Sequence, residues 1–352
     1  MVNIPVRVGF SRTRWQEATS VMLEKGKGQP KIYRLCIIHL FEAAYNLFLK
    51  LIWGSRMIAR AERYGQLGDD MQGSRKHHST MDVLFKKIIM YDISRQQRSP
   101  LAVFDNDAAS CYDRILVNLA MVCARRLGVQ TAAILAHAET LRQMKYMVKT
   151  VYGISERKYF GTDDKPLAGI GQGSGASPSV WLSLCIVLLI AYGNHAPKGM
   201  EFQDPTNTIE SSRVGDAFLD DMTIGFNTAE NSIILQSMVI TLAKCAQLWE
   251  QLLFASGVEL SKCYYDIIHW QWDEPGYPRM NPLLPARDSY PSGTYKVSEE
   301  VHVELPVLSG RDTIPTQIKH KPAWESSKSL GILSNPMGTW EADYSRKAMN
   351  TP

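Results

Sequence analysis

The feature that most constrains the fold of this chain is a set of aspartates placed where short apolar stretches end. The apolar stretch 101–104 predicts a buried strand, and Asp107 closes it. Apolar triplets within 217–224 flank Asp220 and Asp221, which predicts a tight hairpin with both carboxylates at its tip. A carboxylate at the end of a buried strand is costly unless a partner or a metal neutralises it. We therefore expect the three aspartates to meet in one site.

Carboxylates that two strands bring to one point form an oxygen-lined site, which suits Mg²⁺ or Mn²⁺ rather than zinc. Two such ions about 3.5–4 Å apart would clamp the attacking and leaving oxygens of an in-line phosphoryl displacement. The pattern thus predicts two Mg²⁺ ions, with Mn²⁺ as the substitute metal. The alternative is that Asp220 and Asp221 are only turn residues, a role that aspartate fills well.

Length and composition narrow the class of protein. The chain has 352 residues, 45% hydrophobic and 21% charged, which excludes a disordered, collagen-like or coiled-coil chain. Its six cysteines form no Cys-x-x-Cys pair, which argues against a zinc ribbon or a disulfide scaffold and favours a reducing compartment. The longest apolar run, 180–192, is shorter than the roughly 20 residues of a membrane span, and the N-terminus has no apolar signal segment. We expect an intracellular protein, nuclear or cytoplasmic, that is neither secreted nor bound to a membrane.

The net charge of +4 hides an asymmetry along the chain. Residues 1–100 carry 17 Lys and Arg against 8 Asp and Glu, whereas the remainder is acidic overall. A basic first part suits a phosphate-rich partner such as nucleic acid. A solvated basic surface without a partner is the alternative, and charge alone favours it.

Helical and strand-like patterns follow each other without a regular strand–helix–strand repeat, so the expected fold class is α+β. Helices are predicted over 11–25, 41–65, 81–91, 114–127, 131–150, 179–192 and 230–256. Strands are predicted over 31–40 and 263–271, with strand-like pieces at 301–307 and 314–319 in a proline-rich tail.

Six short segments between residues 25 and 335 form the strongest pattern in the chain. In order they are Gln72-Gly-Ser-Arg75 with Ser79-Thr80 and Asp82, Asp107-Ala-Ala-Ser-Cys-Tyr-Asp113, Gln172-Gly173 with Ser177-Pro178, Phe218-Leu-Asp-Asp221, Gly257 to Cys263, and Lys328-Ser-Leu-Gly-Ile332. Each resembles a motif of the reverse transcriptases of non-LTR retroelements, and all six stand in the order of that family. One such motif is only moderately specific, whereas six in order make a strong likeness.

The resemblance implies a polymerase right-hand architecture. Residues 1–100 would be helical and β-stranded fingers, which grip template and nucleotide. Residues 101–335 would be a palm with an antiparallel sheet and a β-rich insertion at about 264–325. Residues 336–352 would be a tail at the start of a missing thumb, because too few residues follow Ile332 to build one. The thumb is therefore expected to be absent or truncated.

The resemblance also implies a role for each matching residue. The catalytic group would be Asp107, Asp220, Asp221 and Lys262. Asp107 and Asp220 would bind both metals, Asp221 would have a lesser role, and the carbonyl of Ala108 would complete the coordination of the nucleotide-bound ion. The nucleotide pocket would be lined by Lys31, Arg34, Ala108, Tyr112, Gln172 and Gly173. Contacts to template and primer would come from Gln72, Arg75, Ser177, Pro178, Leu330 and Gly331. Tyr112 would contact the sugar of the incoming nucleotide, where its bulky ring would exclude a 2′-hydroxyl and so favour deoxynucleotides. Lys262 is the candidate acid for the departing pyrophosphate, because an ammonium group neutralises the leaving charge.

Two positions depart from the family pattern, and one aspartate, Asp113, is expected to have a structural role and not a catalytic one. Cys36 stands where a second basic residue is expected after Arg34, and a neutral thiol cannot replace a guanidinium against phosphate. Leu219 replaces the small residue that is common between the aromatic residue and the aspartates. We expect Asp113 to be structural, as the N-cap of a helix that begins near Arg114.

Three functional hypotheses follow. The leading one is a retrotransposon-type reverse transcriptase domain, a nucleotidyltransferase that extends a DNA primer on an RNA template with deoxynucleoside triphosphates. The alternative is a catalytically inactive, retroelement-derived nucleic-acid-binding protein, which Cys36 and the missing thumb favour. A metal-dependent nuclease is third, because nuclease chemistry calls for neither Tyr112 nor the Gln172 loop. The sequence leaves open the oligomeric state, the priming mechanism and the preferred template.

Overall fold

The computed structural model describes most of the chain. The described residues are 3–24, 35–97, 99–162, 164–197, 199–203, 206, 208, 210–228, 235–274, 277–278, 294–297, 303–323, 325–329, 332–336, 343 and 345.

The helices are α1 (Asn3–Val8), α2 (Ala43–Leu49), α3 (Ile58–Arg63), α4 (Thr80–Gln97), α5 (Cys111–Arg114), α6 (Val117–Arg126), α7 (Thr131–Arg142), α8 (Ser177–His195) and α9 (Leu235–Ala255). The first ten strands are β1 (Glu17–Glu24), β2 (Leu35–Phe41), β3 (Leu101–Ala109), β4 (Lys145–Thr150), β5 (Gly153–Phe160), β6 (Met200–Gln203), β7 (Glu210–Arg213), β8 (Gly215–Phe218), β9 (Asp221–Asn227) and β10 (Glu259–Glu274). The remaining strands are β11 (Tyr277–Pro278), β12 (Thr294–Val297), β13 (Glu304–Ser309), β14 (Asp312–Gln317), β15 (Lys319–His320), β16 (Ser327–Ser329) and β17 (Ile332–Ser334). These elements confirm the expected α+β class.

The first sheet has the strand order β2-β1-β4-β5. Strands β1 and β2 are antiparallel neighbours, whereas β1 and β4 pair in parallel. The sheet therefore joins the beginning of the chain to residues 145–160, beyond the boundary at residue 100 that the sequence suggests between fingers and palm. Helix α2, a π-helical segment at Lys50–Met57 and α3 follow β2 in one continuous run, which confirms the helical prediction for 41–65.

The central sheet has the order β11-β10-β3-β9-β8, and β12 and β15 also pair with β10. Strand β3 lies between β10 and β9 and is antiparallel to both. Its residues alternate between two hydrophobic clusters, as the two-residue period of a strand requires. Ala102, Phe104 and Ala108 belong to the large cluster that includes α8 and α9, whereas Leu101 and Val103 pack with residues of α4.

Helix α8 is long and apolar enough to cross a membrane by length and composition, and the rest of the described chain contains no second helix of that kind. About 67% of its apolar window is buried inside the fold. Trp181, Leu182 and Leu184 are each at most 1% exposed. Burial on all sides is the usual reason for a helix that is apolar all round, and here α8 is the central helix of the large cluster.

The helical prediction for 11–25 is wrong, and that for 131–150 is confirmed only as far as Arg142, where α7 ends. Both differences have one reason. The range 11–25 contains β1, and the end of the range 131–150 contains β4. These two strands pair with each other, from Glu17 opposite Lys145 to Val21 opposite Lys149. Local spacing suggests a helix in both segments, but the pairing with a distant segment decides the structure.

Candidate active site

Asp107 and Asp221 lie directly opposite each other on neighbouring strands of the central sheet. They are register partners of β3 and β9, and directly opposed side chains in an antiparallel pair stand on one face with Cβ atoms about 5 Å apart. Asp220 precedes Asp221 in the turn that joins β8 to β9, and its carbonyl oxygen accepts a 3.1 Å hydrogen bond from the amide of Ala108. The predicted hairpin is therefore confirmed, and the three aspartates lie at one end of the central sheet.

The tip of this hairpin is held in place from outside. Leu219 has a φ of +56°, a left-handed conformation that a branched side chain rarely adopts. Its carbonyl oxygen accepts a 2.6 Å hydrogen bond from the indole nitrogen of Trp181 on α8. A Cβ atom on Gly73 would come within 2.5 Å of the Leu219 nitrogen, so only glycine allows the segment before α4 to lie against the turn. These contacts fix the position of Asp220 and Asp221.

A cleft of about 490 Å³ opens over this face of the central sheet. Three of the predicted catalytic residues, Asp107, Asp221 and Lys262, line it together. Lys262 is exposed and lies in a bulge of β10, opposite Asp107. The lining also includes charged residues that the sequence analysis did not single out: Lys87, Asp105, Asp216, Lys319, Lys321 and Glu325.

Lys87, Asp105 and Thr223 form a hydrogen-bonded group below the aspartates. The Lys87 Nζ atom is 2.6 Å from Asp105 Oδ1 and 3.2 Å from Thr223 Oγ1, and the Thr223 hydroxyl donates to Asp105 Oδ1 at 2.6 Å. Burial alone would raise the pKa of Asp105, but the Lys87 ammonium and these hydrogen bonds lower it below its usual value. Burial and the charge of Asp220 raise the pKa of Asp221, and Lys87 opposes that rise. Lys87 therefore compensates part of the negative charge of Asp105 and Asp221.

Tyr112 follows the aspartate end of β3 and is partly buried. Burial, the Cys111 thiol and the Asp220 carboxylate all raise the pKa of Tyr112 well above its usual value. Tyr112 is therefore a neutral phenol close to Asp220. Ala108 is 4% exposed, so its side chain belongs to the core.

The loop 169–176 lies between the first sheet and β3. The carbonyl oxygen of Gln172 accepts a 2.7 Å hydrogen bond from the amide of His39 on β2. Gly173 has a φ of +108°, and a Cβ atom there would overlap the His39 carbonyl oxygen. Ser177 is 1% exposed and donates to the carbonyl oxygen of Gly171 at 2.7 Å, and Pro178 is the second residue of α8. In this position Ser177 and Pro178 shape the loop, while Gln172 and Gly173 face the first sheet.

Asp113 does not cap a helix, so the predicted N-cap is wrong. Ser110 precedes α5, and Asp113 lies inside that short helix. The Asp113 carboxylate instead accepts a 3.2 Å hydrogen bond from the backbone N–H of Gln172. Its role in the fold is to hold the Gln172 loop against the end of β3, which is structural but of another kind.

Cys36 on β2 faces the same loop. Its Sγ atom is 3.5 Å from Gln172 Oε1. The position at which the sequence pattern expects a basic residue thus contacts the residue predicted to line the nucleotide pocket.

Gln72 and Arg75 support the hairpin from the segment before α4. Gln72 is 1% exposed, and its backbone N–H donates to the Ala217 carbonyl oxygen at 2.9 Å. The Arg75 guanidinium forms a paired contact with Glu62, at 2.7 and 2.9 Å, and also donates to the carbonyl oxygens of Gly68 and Met71. These hydrogen bonds order the segment, and contact of either residue with a template stays a prediction.

Lys31, Arg34, Leu330 and Gly331 lie outside the described residues.

The donor set at the end of the sheet fits a hard divalent cation. Within the described residues, no three His, Cys, Asp or Glu side chains come together as a ready-made metal site. Mg²⁺ is commonly held by one or two carboxylates together with substrate phosphates, and the opposed pair Asp107 and Asp221 supplies two carboxylates on one face. The arrangement therefore suits an ion that arrives with a phosphate-bearing substrate, and not a closed structural site.

Comparison with known proteins gives structural similarity only. No protein-family model matches the chain, and no curated protein matches it. A telomerase from Candida albicans, solved with the TWJ fragment of telomeric RNA, is similar at 13% identity and a TM-score of 0.46, over 78% of this chain and 46% of that one. Apo telomerase from Candida tropicalis, truncated from its C-terminal domain, is similar at 12% identity and a TM-score of 0.45, over 78% of this chain and 53% of that one. The chain spans about half the length of these structures.

Proposed function

We propose that this chain is a reverse-transcriptase-like nucleotidyltransferase, which adds deoxynucleotides to a primer 3′ end on a template. The observation that carries the proposal is the opposed pair Asp107 and Asp221, which lines one cleft together with Lys262. The order of the sequence motifs supports the same reading. In this proposal the template is RNA, the primer is DNA, and the chain derives from a retrotransposon in the nucleus or cytoplasm.

The residues of the site divide the chemistry among them. Asp107, Asp220 and Asp221 would hold Mg²⁺ or Mn²⁺, with the Ala108 carbonyl as a further ligand. When bound, the metal would stabilise negative charge on the reacting phosphate oxygens. Lys262 lies opposite Asp107, where its ammonium group can donate a proton to the leaving pyrophosphate. Phosphoryl transfer needs little beyond positioning and neutralisation of charge.

Tyr112 and Gln172 would select the nucleotide. A neutral phenol beside Asp220 places a bulky ring next to the catalytic end of β3, and such a ring would exclude a ribose 2′-hydroxyl. The Gln172 backbone is fixed by β2 and by Asp113, so its side chain is held at the boundary between the two sheets.

Primer extension tests the proposal. Purified protein is given an RNA template, a labelled DNA primer, deoxynucleoside triphosphates and Mg²⁺. We expect extension by the wild type and by Asp312→Asn, an exposed carboxylate on β14, and a loss of at least a hundredfold in Asp220→Asn and Asp221→Asn. Extension that survives both active-site substitutions would refute the assignment.

The contact between Cys36 and Gln172 favours a second candidate function, nucleic-acid binding without turnover. A thiol offers no charge to a triphosphate at the place where the pattern expects one. The Cys36→Arg variant separates the two functions. If the wild type binds a DNA–RNA hybrid but extends no primer, and Cys36→Arg extends it, the chain is an inactive relic whose defect lies in the fingers.

A further inference from the structure

The β-rich segment after β10 returns to the cleft and places two lysines there. Strand β15 pairs in parallel with β10, with Lys319 opposite Tyr264 and His320 opposite Tyr265. Both Lys319 and Lys321 line the cleft over the central sheet. These residues do not belong to any of the six sequence motifs.

The two lysines are carried by a well-anchored segment. Val303, Leu305 and Ile318 are each at most 2% exposed and belong to the large hydrophobic cluster. The amide of Ile318 donates to the Val303 carbonyl oxygen at 2.8 Å. An element fixed in this way holds the backbone of both lysines in place, which a binding site requires.

Lys321 is oriented by its neighbours on β10. Lys321 donates its backbone amide to the Tyr265 carbonyl oxygen at 2.9 Å, and its ammonium group lies 4.9 Å from the centre of the Tyr264 ring. The side chain of His320, between the two lysines, is 9% exposed and lies beside Asp266, with 3.4 Å between His320 Nε2 and Asp266 Oδ1. The histidine thus fixes the segment while the lysines face the cleft.

The lysine pair lies farther along the sheet than the catalytic residues. Lys319 is level with Tyr264, which is the register partner of Asp105. Asp105 is two residues before Asp107 on β3, a distance of about 6.6 Å along a strand. A ligand that contacts Lys262 and also the lysine pair therefore needs several phosphates in series. Lys319 is exposed at the rim of the cleft, so that ligand continues outward from the cleft.

We propose that Lys319 and Lys321 bind two consecutive phosphates of a nucleic-acid backbone that runs from the catalytic carboxylates across β10. The inference rests on the proposed function, because that function supplies the nucleic-acid strand. It adds the β-rich segment to the binding surface. The ligand is a phosphodiester chain, and base identity does not enter.

The test compares the salt dependence of binding for a labelled DNA–RNA hybrid, without nucleotides. The variants are Lys319→Gln with Lys321→Gln, the same pair changed to Arg, and a control pair on exposed lysines elsewhere, Lys149→Gln with Lys244→Gln. Each lost phosphate contact reduces the slope of log K against log salt by about 0.9. We expect the Gln pair to reduce the slope by about 1.8, and the Arg pair and the control pair to leave it within about 0.5 of the wild type.

Three results would overturn the inference or separate it from the proposed function. The inference is refuted if the variant with Lys319→Gln and Lys321→Gln has the wild-type melting temperature and also the wild-type slope of log K against log salt. A Gln pair that binds the hybrid normally but needs more deoxynucleoside triphosphate for primer extension assigns the lysines to the free nucleotide and also refutes it. If wild-type protein extends no primer yet the Gln pair still lowers the slope, the inference stands and only the proposed activity fails.

Discussion

Removal of the Lys87 ammonium is the perturbation whose effect the structure defines best. The side chain of Lys87 is 10% exposed and its Nζ atom is 2.6 Å from Asp105 Oδ1. The substitution Lys87→Met keeps an unbranched chain of similar length and removes the charge. It leaves the Asp105 carboxylate with Thr223 as its hydrogen-bond donor.

The expected cost lies between that of a buried and that of a surface ion pair. Loss of one partner of a fully buried pair costs about 3–5 kcal/mol, whereas exposed pairs contribute about 0–1 kcal/mol. The Asp105 side chain is 28% exposed, so water reaches part of the carboxylate. We therefore expect Lys87→Met to lower the free energy of unfolding by about 2 kcal/mol.

A double-mutant cycle in urea measures this interaction. The cycle uses wild type, Lys87→Met, Asp105→Asn and the double variant, with Lys244→Met on α9 as the exposed lysine control. Asp105→Asn removes the stranded charge, so the double variant should recover about 1 kcal/mol or more of the summed loss. The control should stay within about 0.5 kcal/mol of the wild type.

The pH dependence of the same variants provides a second check. Because the pKa of Asp105 is lowered in the folded state, its contribution is present above the unfolded pKa of about 3.9 and is lost as pH falls through the lower folded value. The stability difference between wild type and Lys87→Met should therefore narrow below about pH 4. A coupling energy below about 0.5 kcal/mol, or a difference that is constant from pH 7 to pH 3, would refute the ion pair as the stabilising element.

Three further predictions concern the surroundings of the site. Gly173→Ala should lower the free energy of unfolding by at least about 2 kcal/mol, because it adds a backbone clash to the strain of a positive φ, whereas Gly153→Ala adds only the strain; similar thermal shifts for both would contradict this. Arg75→Lys should expose residues 66–79 to proteolysis, because lysine cannot reproduce the paired contact with Glu62, and an unchanged cleavage rate would argue against it. Burial raises the pKa of Asp266 to about 6. The free energy of unfolding of the wild type should therefore fall as pH rises from about 4 through 6, because the folded state loses a proton that it held more tightly. In the Asp266→Asn variant, urea midpoints should show a smaller fall over the same pH range.

The hairpin and the strand before it could be predicted because their signals are local. The aspartates at 220 and 221 stand between apolar triplets, and the chain does turn there. The apolar stretch at 101–104 is the beginning of β3, which continues to Ala109 through three consecutive polar residues, Asp105 to Asp107, whose burial alternates. The first half of β3 is buried on both faces and is therefore apolar throughout, whereas its second half lines the cleft and is mostly polar. Only the apolar half is recognisable as a strand from the sequence.

Of the cleft lysines, Lys262 could be predicted because it lies in a motif, whereas Lys87, Lys319 and Lys321 could not, because each lies on an element outside the motifs. Lys87 left one local signal, since it follows Val83 and precedes Tyr91 at helical spacing, on the buried side of α4. A cation on an apolar helix face indicates a buried partner. Lys319 and Lys321 gave no such signal, because β15 has only two residues and its place depends on β10.

The parallel pairing of β1 with β4 also means that β1 is synthesised well before one of its two neighbouring strands. About 120 residues separate the end of β1 from Lys145, the first residue of β4. At about 5–20 residues per second, the ribosome needs roughly 6–24 s to deliver the missing strand. During that interval β1 can pair with β2 but presents its other edge to solvent, and open strand edges are templates for aggregation. Nascent chains stalled before residue 145 should therefore depend on chaperones more than the released chain does.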